Sequence, residues 1–190
     1  APHSSSVKES LSQQQRRMQA ILHGLNQASP DTTLALNFSS PLELLIALIL
    51  AAQCTDERVN VVTATVFQKY PTANAWAGAD RHVLEQDLQS VSFYRNKTKA
   101  IQACCRELGA RFGGQVPQTL EELISLPGVG RKTANVLRGN AFGQPAIGVD
   151  RHVGRLAQRM GFTTQTDPDK IESDLNVLVP DDTKVRFCHL

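Results

Sequence analysis

The sequence lacks the features of a membrane-spanning, disulfide-rich or disordered protein. Its longest strongly apolar stretch, residues 41–52, has about the length of a buried core helix and is too short to cross a bilayer. The four cysteines, Cys54, Cys104, Cys105 and Cys188, form no C-x-x-C pair. They indicate a reducing compartment and small buried thiols, not a disulfide framework. A hydrophobic content of 41% is ordinary for a globular protein and argues against disorder.

Residues 1–6 read as a polar tail, so we expect no secretory signal peptide. The net charge is small: 20 Lys and Arg against 18 Asp and Glu give +2. Nucleic-acid binding would therefore require basic residues on one face. Candidates for such a face are Arg131, Lys132, Arg138, Arg151, His152 and Arg155. A solvated helical face would look similar, so both interpretations remain open.

Period-two alternation, which indicates strands, is absent, and so is any internal repeat. Met18, Ile21, Leu22 and Leu25 recur with the spacing of an amphipathic helix. Residues 59–66 keep helical spacing too, although their β-branched valines also permit a strand. We predict an all-α fold.

Several helix starts can be read from capping residues. Ser40 and Glu43 form a capping box, with a proline at the first helical position. Thr119 and Glu122 form a second one, and Asp167 precedes another proline. Each of these positions predicts the first turn of a helix.

Residues 126–134, Leu-Pro-Gly-Val-Gly-Arg-Lys-Thr-Ala, are the most informative segment. Gly128 and Gly130 allow positive φ and close approach of another backbone. A helix starting near Gly130 directs its first N–H groups and positive dipole end outward, where an anionic oxygen is the natural partner. A lone Gly-x-Gly is more often a packing turn. The neighbouring Lys132, and Asp150 at the start of the next helix, favour an anion site.

The residues alone leave two roles open for each charged group. Lys132 can bind a phosphate as a point charge, or attack as a nucleophile when its amine is neutral. Asp150 can cap its helix or stabilise a cationic sugar, and these two roles are compatible.

Residues 126–162 resemble the helix-hairpin-helix plus Gly/Pro/Asp signature of base excision DNA glycosylases, and within them the endonuclease III family. Residues 37–41 and 52–56, on either side of an apolar helix, resemble the N-terminal core of that family. Residues 93–97, Phe-Tyr-Arg-Asn-Lys, resemble its lesion-probing loop. The similarity extends over nearly the whole chain.

The resemblance implies a two-domain fold with a cleft for DNA. Residues 34–144 would form a continuous six-helix domain, and residues 1–33 with 145–190 a terminal domain. The implied partner is double-stranded DNA containing oxidised pyrimidines or abasic sites. A cytoplasmic, nucleoid-associated monomer that contacts no membrane is expected.

The resemblance also assigns roles to site residues. Lys132 and Asp150 would be the catalytic pair that attacks C1′ of deoxyribose and stabilises the cationic sugar. The hairpin would hold the DNA backbone, together with a monovalent cation bound to it, and a histidine would make a further contact. The hairpin residues are Gly128, Val129, Gly130 and Arg131, and the histidine is His152.

Two further residues would enter the base stack when the damaged nucleotide rotates out. By resemblance, Gln53 fills the vacated space and Phe93 is an apolar wedge. In isolation, Gln53 could be a polar residue at a helix end and Phe93 a core aromatic. The family more often has glycine at the position of Ser92 and leucine at the wedge.

The implied activity is that of a bifunctional DNA glycosylase and abasic-site lyase for oxidised pyrimidines, which nicks the strand by β-elimination. One alternative is a monofunctional mismatch glycosylase, whose members generally lack a lysine at position 132. Another is a non-catalytic helix-hairpin-helix DNA-binding module.

The resemblance implies a [4Fe–4S] cluster held by four cysteines in a C-terminal loop. These 190 residues contain no such loop, and Cys188 falls at a cysteine position of the family that is not a ligand. We expect a truncated form whose residues bind no metal.

Overall fold

The computed structural model describes residues 9–28, 34–146, 151–160, 162–163, 165–181 and 184, with the backbone alone for residues 23–28, 151 and 152. Within these ranges the chain forms ten α-helices and no strand, as the all-α prediction requires. None of the helices described is both long and apolar enough to span a membrane.

The chain divides into two compact units. The central unit, Leu34–Gln144, is described throughout and holds seven helices where the resemblance implied six. They are α2 (Pro41–Ala51), α3 (Asp56–Lys69), α4 (Ala73–Gly78), α5 (Arg81–Leu88), α6 (Tyr94–Arg111), α7 (Leu120–Ile124) and α8 (Arg131–Phe142). The terminal unit combines Ala1–Thr33 with Pro145–Leu190. Its described helices are α1 (Leu11–Ala28), α9 (Arg151–Arg159) and α10 (Pro168–Leu178).

The predicted capping residues start their helices. The Ser40 hydroxyl accepts a hydrogen bond from the Glu43 amide at 3.2 Å, and the Thr119 hydroxyl accepts one from the Glu122 amide at 3.3 Å. The Glu43 carboxylate accepts the amide of Ser39, one residue earlier than a standard capping box requires. These bonds satisfy amides that have no acceptor within the helix.

Residues 59–66 are helical, not extended. Thr55 caps α3 by accepting the Arg58 amide at 3.2 Å. Val59, Val62 and Val66 are buried on the face that α3 turns toward the core. Burial of this stripe outweighs the modest cost of β-branched residues in a helix.

The core of the central unit lies around α6, which packs against α2, α4 and α5. Leu50, Trp76, Ile101 and Leu108 are fully buried there. Each such side chain contributes about 1.5–3 kcal/mol by leaving water. This packing fixes the C-terminal end of α2, which precedes Gln53, and the N-terminal end of α6, which follows Phe93.

The terminal unit has a separate core. Met18 and Leu22, on the predicted stripe of α1, are buried with Ile171 and Leu175 of α10. The Arg17 guanidinium lies 4.3 Å from the ring centroid of Phe162 and donates a hydrogen bond to the Met160 carbonyl. An N-terminal helix is thus packed against the C-terminal segment.

Candidate functional site

The glycine-rich turn between α7 and α8 packs tightly against two other helices. Gly128 has φ +77°, and a Cβ built there would lie 3.1 Å from the Ala100 Cβ and 3.9 Å from the Ile49 Cδ1. The Val129 amide closes the turn by donating to the Leu126 carbonyl at 3.2 Å. Gly128 therefore meets both demands of this position, a left-handed backbone and a close approach.

The turn leads directly into α8. Gly130 is the N-cap and has no side chain with which to occupy the first amides of the helix. Arg131 is half-buried, whereas the Lys132 side chain is exposed in the first turn. Ala134, Asn135 and Leu137 of α8 are buried and its other residues are half-buried, so Lys132 is the exposed residue of this helix.

Not every residue of the predicted basic set is presented to solvent. Arg138 is half-buried and donates to Gln144 Oε1 at 2.9 Å and to Asn135 Oδ1 at 3.0 Å. It holds the end of α8 and the segment that follows. Arg155 is exposed on α9, in the terminal unit.

Asp150 lies outside the described residues. His152 is the second residue of α9, and its side chain is also outside the described part. The roles suggested for both residues therefore stay predictions.

The two residues expected to enter the base stack have unusual backbones. Gln53 has φ +54° and Phe93 φ +56°, and among the described residues they are the non-glycine positions with positive φ. A bulky residue in this region is a genuine outlier, and such strain concentrates at functional sites. Phe93 is 62% exposed, so the interpretation as a core aromatic is wrong. Gln53 is also exposed, directly beyond α2.

The hairpin and the two strained residues are connected through α2 and α6. Gly128 approaches Ile49 of α2 and Ala100 of α6. Gln53 follows the end of α2, and Phe93 is the N-cap of α6. All three segments belong to the central unit.

Sequence reasoning missed Lys97, which is 7% exposed. Its ammonium donates to the backbone carbonyl oxygens of Leu50, at 2.8 Å, and Ala52, immediately before Gln53. Burial lowers the pKa of Lys97, and the nearby Cys54 thiol partly offsets this effect. Its burial could have been inferred from the apolar stripe of this helix, because Lys97 precedes the buried Ile101 by four positions.

The described residues do not fit an iron–sulfur cluster, whose cysteine ligands are thiolates. Burial raises the pKa of the Cys104 and Cys105 thiols to about 12, so both stay protonated at neutral pH. Cys54 is half-buried, and no group of three or more His, Cys, Asp or Glu side chains in the described ranges could hold a metal ion. Cys188 lies outside those ranges.

Comparison with known proteins identifies a family. Residues 46–181 match the family model described as the HhH-GPD superfamily base excision DNA repair protein. Endonuclease III of Synechocystis sp. is 50% identical over 177 residues, which cover 93% of this chain and 81% of the relative. Endonuclease III of Bacillus subtilis is 44% identical over 147 residues, covering 77% of this chain and 67% of the relative.

A solved structure supports the same relationship. It is described as a trapped endonuclease III–DNA covalent intermediate in an estranged-adenine complex. The TM-score is 0.87 at 40% sequence identity, covering 92% of this chain and 83% of that one.

Proposed function

Because the chain belongs to the HhH-GPD superfamily of base excision DNA repair proteins, and within it to the endonuclease III family, we propose that it is a bifunctional DNA glycosylase and abasic-site lyase. The proposed substrates are double-stranded DNA with oxidised pyrimidines of the thymine glycol type, and abasic sites. The observation that carries the proposal is the glycine-rich hairpin with Lys132 exposed in the first turn of the helix that follows.

Lys132 is the proposed nucleophile. Its neutral amine attacks C1′ of deoxyribose, the C1′–base bond breaks, and the base leaves with the electron pair and takes up a proton. The amine loses a proton, and the sugar ring opens to an imine between Nζ and C1′. Loss of a proton from C2′ then expels the 3′ phosphate, and water releases the lysine.

Asp150 is the proposed partner of Lys132. A carboxylate at this position would stabilise the positive charge that develops on the sugar and accept the amine proton. The match of Val-Asp-x-His at residues 149–152 to the family signature supports this role.

The backbone of residues 128–131 is the proposed phosphate site. Helix N-termini bind anions through their outward N–H groups and positive dipole end. We propose that a monovalent cation bound by the hairpin adds to the attraction and that His152 contacts the DNA backbone or sugar. A [4Fe–4S] cluster, suggested by the family, is assigned to none of the described residues.

Gln53 and Phe93 are proposed to occupy the space that the everted nucleotide leaves. An exposed phenyl ring can enter between base steps, and an amide can pair with an unpaired opposite base. Their exposure and left-handed backbones support both roles.

Borohydride trapping tests the proposed function. Two duplexes, one with thymine glycol and one with an abasic site, are incubated with the wild type and with Lys132→Gln. We expect the wild type to form a covalent adduct with both duplexes and the variant with neither, because glutamine cannot form an imine.

Lys170→Gln is the matched control, since Lys170 is also exposed in the first turn of a helix, α10. This control should trap as the wild type does. Binding without any wild-type adduct would contradict the lyase assignment and favour a monofunctional glycosylase or a binding module. An adduct that persists in Lys132→Gln would assign the nucleophile to another residue.

A further inference from the structure

Lys97 caps the C-terminal end of α2 from a different helix. The last carbonyls of a helix have no donors within it, and its negative dipole end favours a cation. α2 has no basic residue in its last turn. The buried Lys97 ammonium, on α6, supplies both hydrogen bonds and charge to the carbonyls of Leu50 and Ala52.

The backbone on both sides of Gln53 is held by hydrogen bonds. On one side, the Ala52 carbonyl accepts from Lys97. On the other side, the Cys54 amide donates to the Ala51 carbonyl at 3.1 Å. The left-handed conformation of Gln53 lies between these two fixed points, so loss of the Lys97 bonds frees its preceding peptide unit.

Lys97 is also linked to Phe93. Its backbone amide donates to the Phe93 carbonyl at 3.1 Å, in the first turn of α6. Phe93 has no side-chain cap that could hold this turn instead. Lys97 thus contacts the backbone of Phe93 through its amide, and the backbone next to Gln53 through its ammonium.

We propose that Lys97 is a positioning residue that fixes Gln53 relative to Phe93, so that both side chains enter the duplex together. This proposal rests on the proposed function of these two residues. It implies that Lys97 acts on the eversion of a stacked base and leaves the imine chemistry of Lys132 intact.

Eversion of an abasic nucleotide requires no base to be unstacked, whereas eversion of thymine glycol does. Removal of the Lys97 ammonium should therefore affect the two substrates unequally. We expect Lys97→Met to slow single-turnover base release from thymine glycol by about tenfold and abasic-site trapping by less than about threefold.

Thr98→Val is the matched structural control. Thr98 is buried beside Lys97, and its hydroxyl donates to the Tyr94 carbonyl at 2.7 Å within α6. This bond does not reach the Gln53 segment. Thr98→Val should lower thermal stability while changing both rates by the same factor.

A double mutant separates positioning from general damage. In the Lys97→Met background, Gln53→Ala should add no further loss of base release, because Gln53 is already misplaced. Where Lys97→Met does not fold, Lys97→Gln, which keeps one donor group, replaces it in every comparison. Equal losses on both substrates, unchanged rates, or additive effects with Gln53→Ala would each overturn the proposal. Failure of the wild type to trap at the abasic site would instead contradict the proposed function.

Discussion

Gln53 and Phe93 both have a backbone conformation that is unfavourable for their residue type. A left-handed backbone costs a non-glycine residue roughly 1–2 kcal/mol. Burial of the Phe93 ring offsets little of this free energy, since the residue is 62% exposed. The surrounding hydrogen bonds hold both residues in conformations that asparagine or glycine would adopt more readily. Such strained, exposed positions are consistent with the DNA contact proposed for these two residues.

Gly128 and Gly130 offer a matched pair of substitutions. Gly128→Ala places a Cβ 3.1 Å from Ala100 in a backbone with φ +77°, whereas no described residue lies within 4 Å of the Cβ position of Gly130. We expect Gly128→Ala to lower the free energy of unfolding by about 1–3 kcal/mol and to weaken DNA binding. Gly130→Ala, at a φ of −92°, should cost less than about 1 kcal/mol, because the poorer N-cap is partly offset by the lower entropy of the unfolded chain. Urea unfolding measures this difference, and equal losses would contradict it.

At the scale of single residues, local chemistry was predictable and distant contacts were not. Ser40, Thr119 and Asp167 cap their helices as predicted, because a cap depends on residues two or three positions away. The bond from Lys97 to Ala52 joins residues 45 positions apart, and no local pattern encodes it. Nor does any pattern predict positive φ at Gln53, a residue type with no preference for that conformation.

At the scale of helices, the buried face of α6 carries two adjacent thiols. Burial raises the pKa of Cys104 and Cys105 from 9.0 to about 12, so the unfolded chain loses these protons first as the pH rises. Their stabilising contribution is complete below pH 9 and is lost progressively between pH 9 and pH 12. The expected loss approaches about 1.4 kcal/mol per pH unit for each thiol.

Cys105→Ala should make this alkaline decline less steep. The slope of unfolding free energy against pH, measured by urea titration from pH 9 to pH 11, should fall by up to about 1.4 kcal/mol per unit. Between pH 7 and pH 8 the variant and the wild type should have parallel slopes. A variant with the wild-type slope above pH 9 would show that Cys105 does not titrate on unfolding.

Helices with a long apolar stripe were readily predicted. The interpretation of α3 as a helix is confirmed, because three valines at helical spacing are buried together. α4 and α5 span only 6 and 8 residues, which is too short for a 3.6-residue period to be read with certainty. Tertiary packing on α6 defines them instead.

At the scale of the whole molecule, the cores of the two units share none of the residues that the structure describes. Leu175 and Leu108 are both fully buried, one in the terminal unit and the other in the central unit. We expect Leu175→Ala to cost about 2–5 kcal/mol and to raise amide hydrogen exchange first in α1, α9 and α10. Leu108→Ala should do the same in the central unit. A uniform increase across the chain in both variants would show that the units unfold as one.

The division of the chain into two units could not be derived from periodicity. Amphipathic stripes predict that α1 and α10 each bury a face, but not that they bury it against each other. The contacts of Met18 and Leu22 with α10 residues join distant parts of the chain, and the separate stripes do not encode them. The catalytic pairing with Asp150 stays a prediction.

The separate terminal core has a consequence for synthesis on the ribosome. α1 is translated before its partners α9 and α10, which emerge more than a hundred residues later. At about 5–20 residues per second, Met18 and Leu22 remain uncovered for several seconds while the central unit is completed. Nascent chains stalled near residue 145 would therefore be good substrates for a chaperone that binds apolar helices.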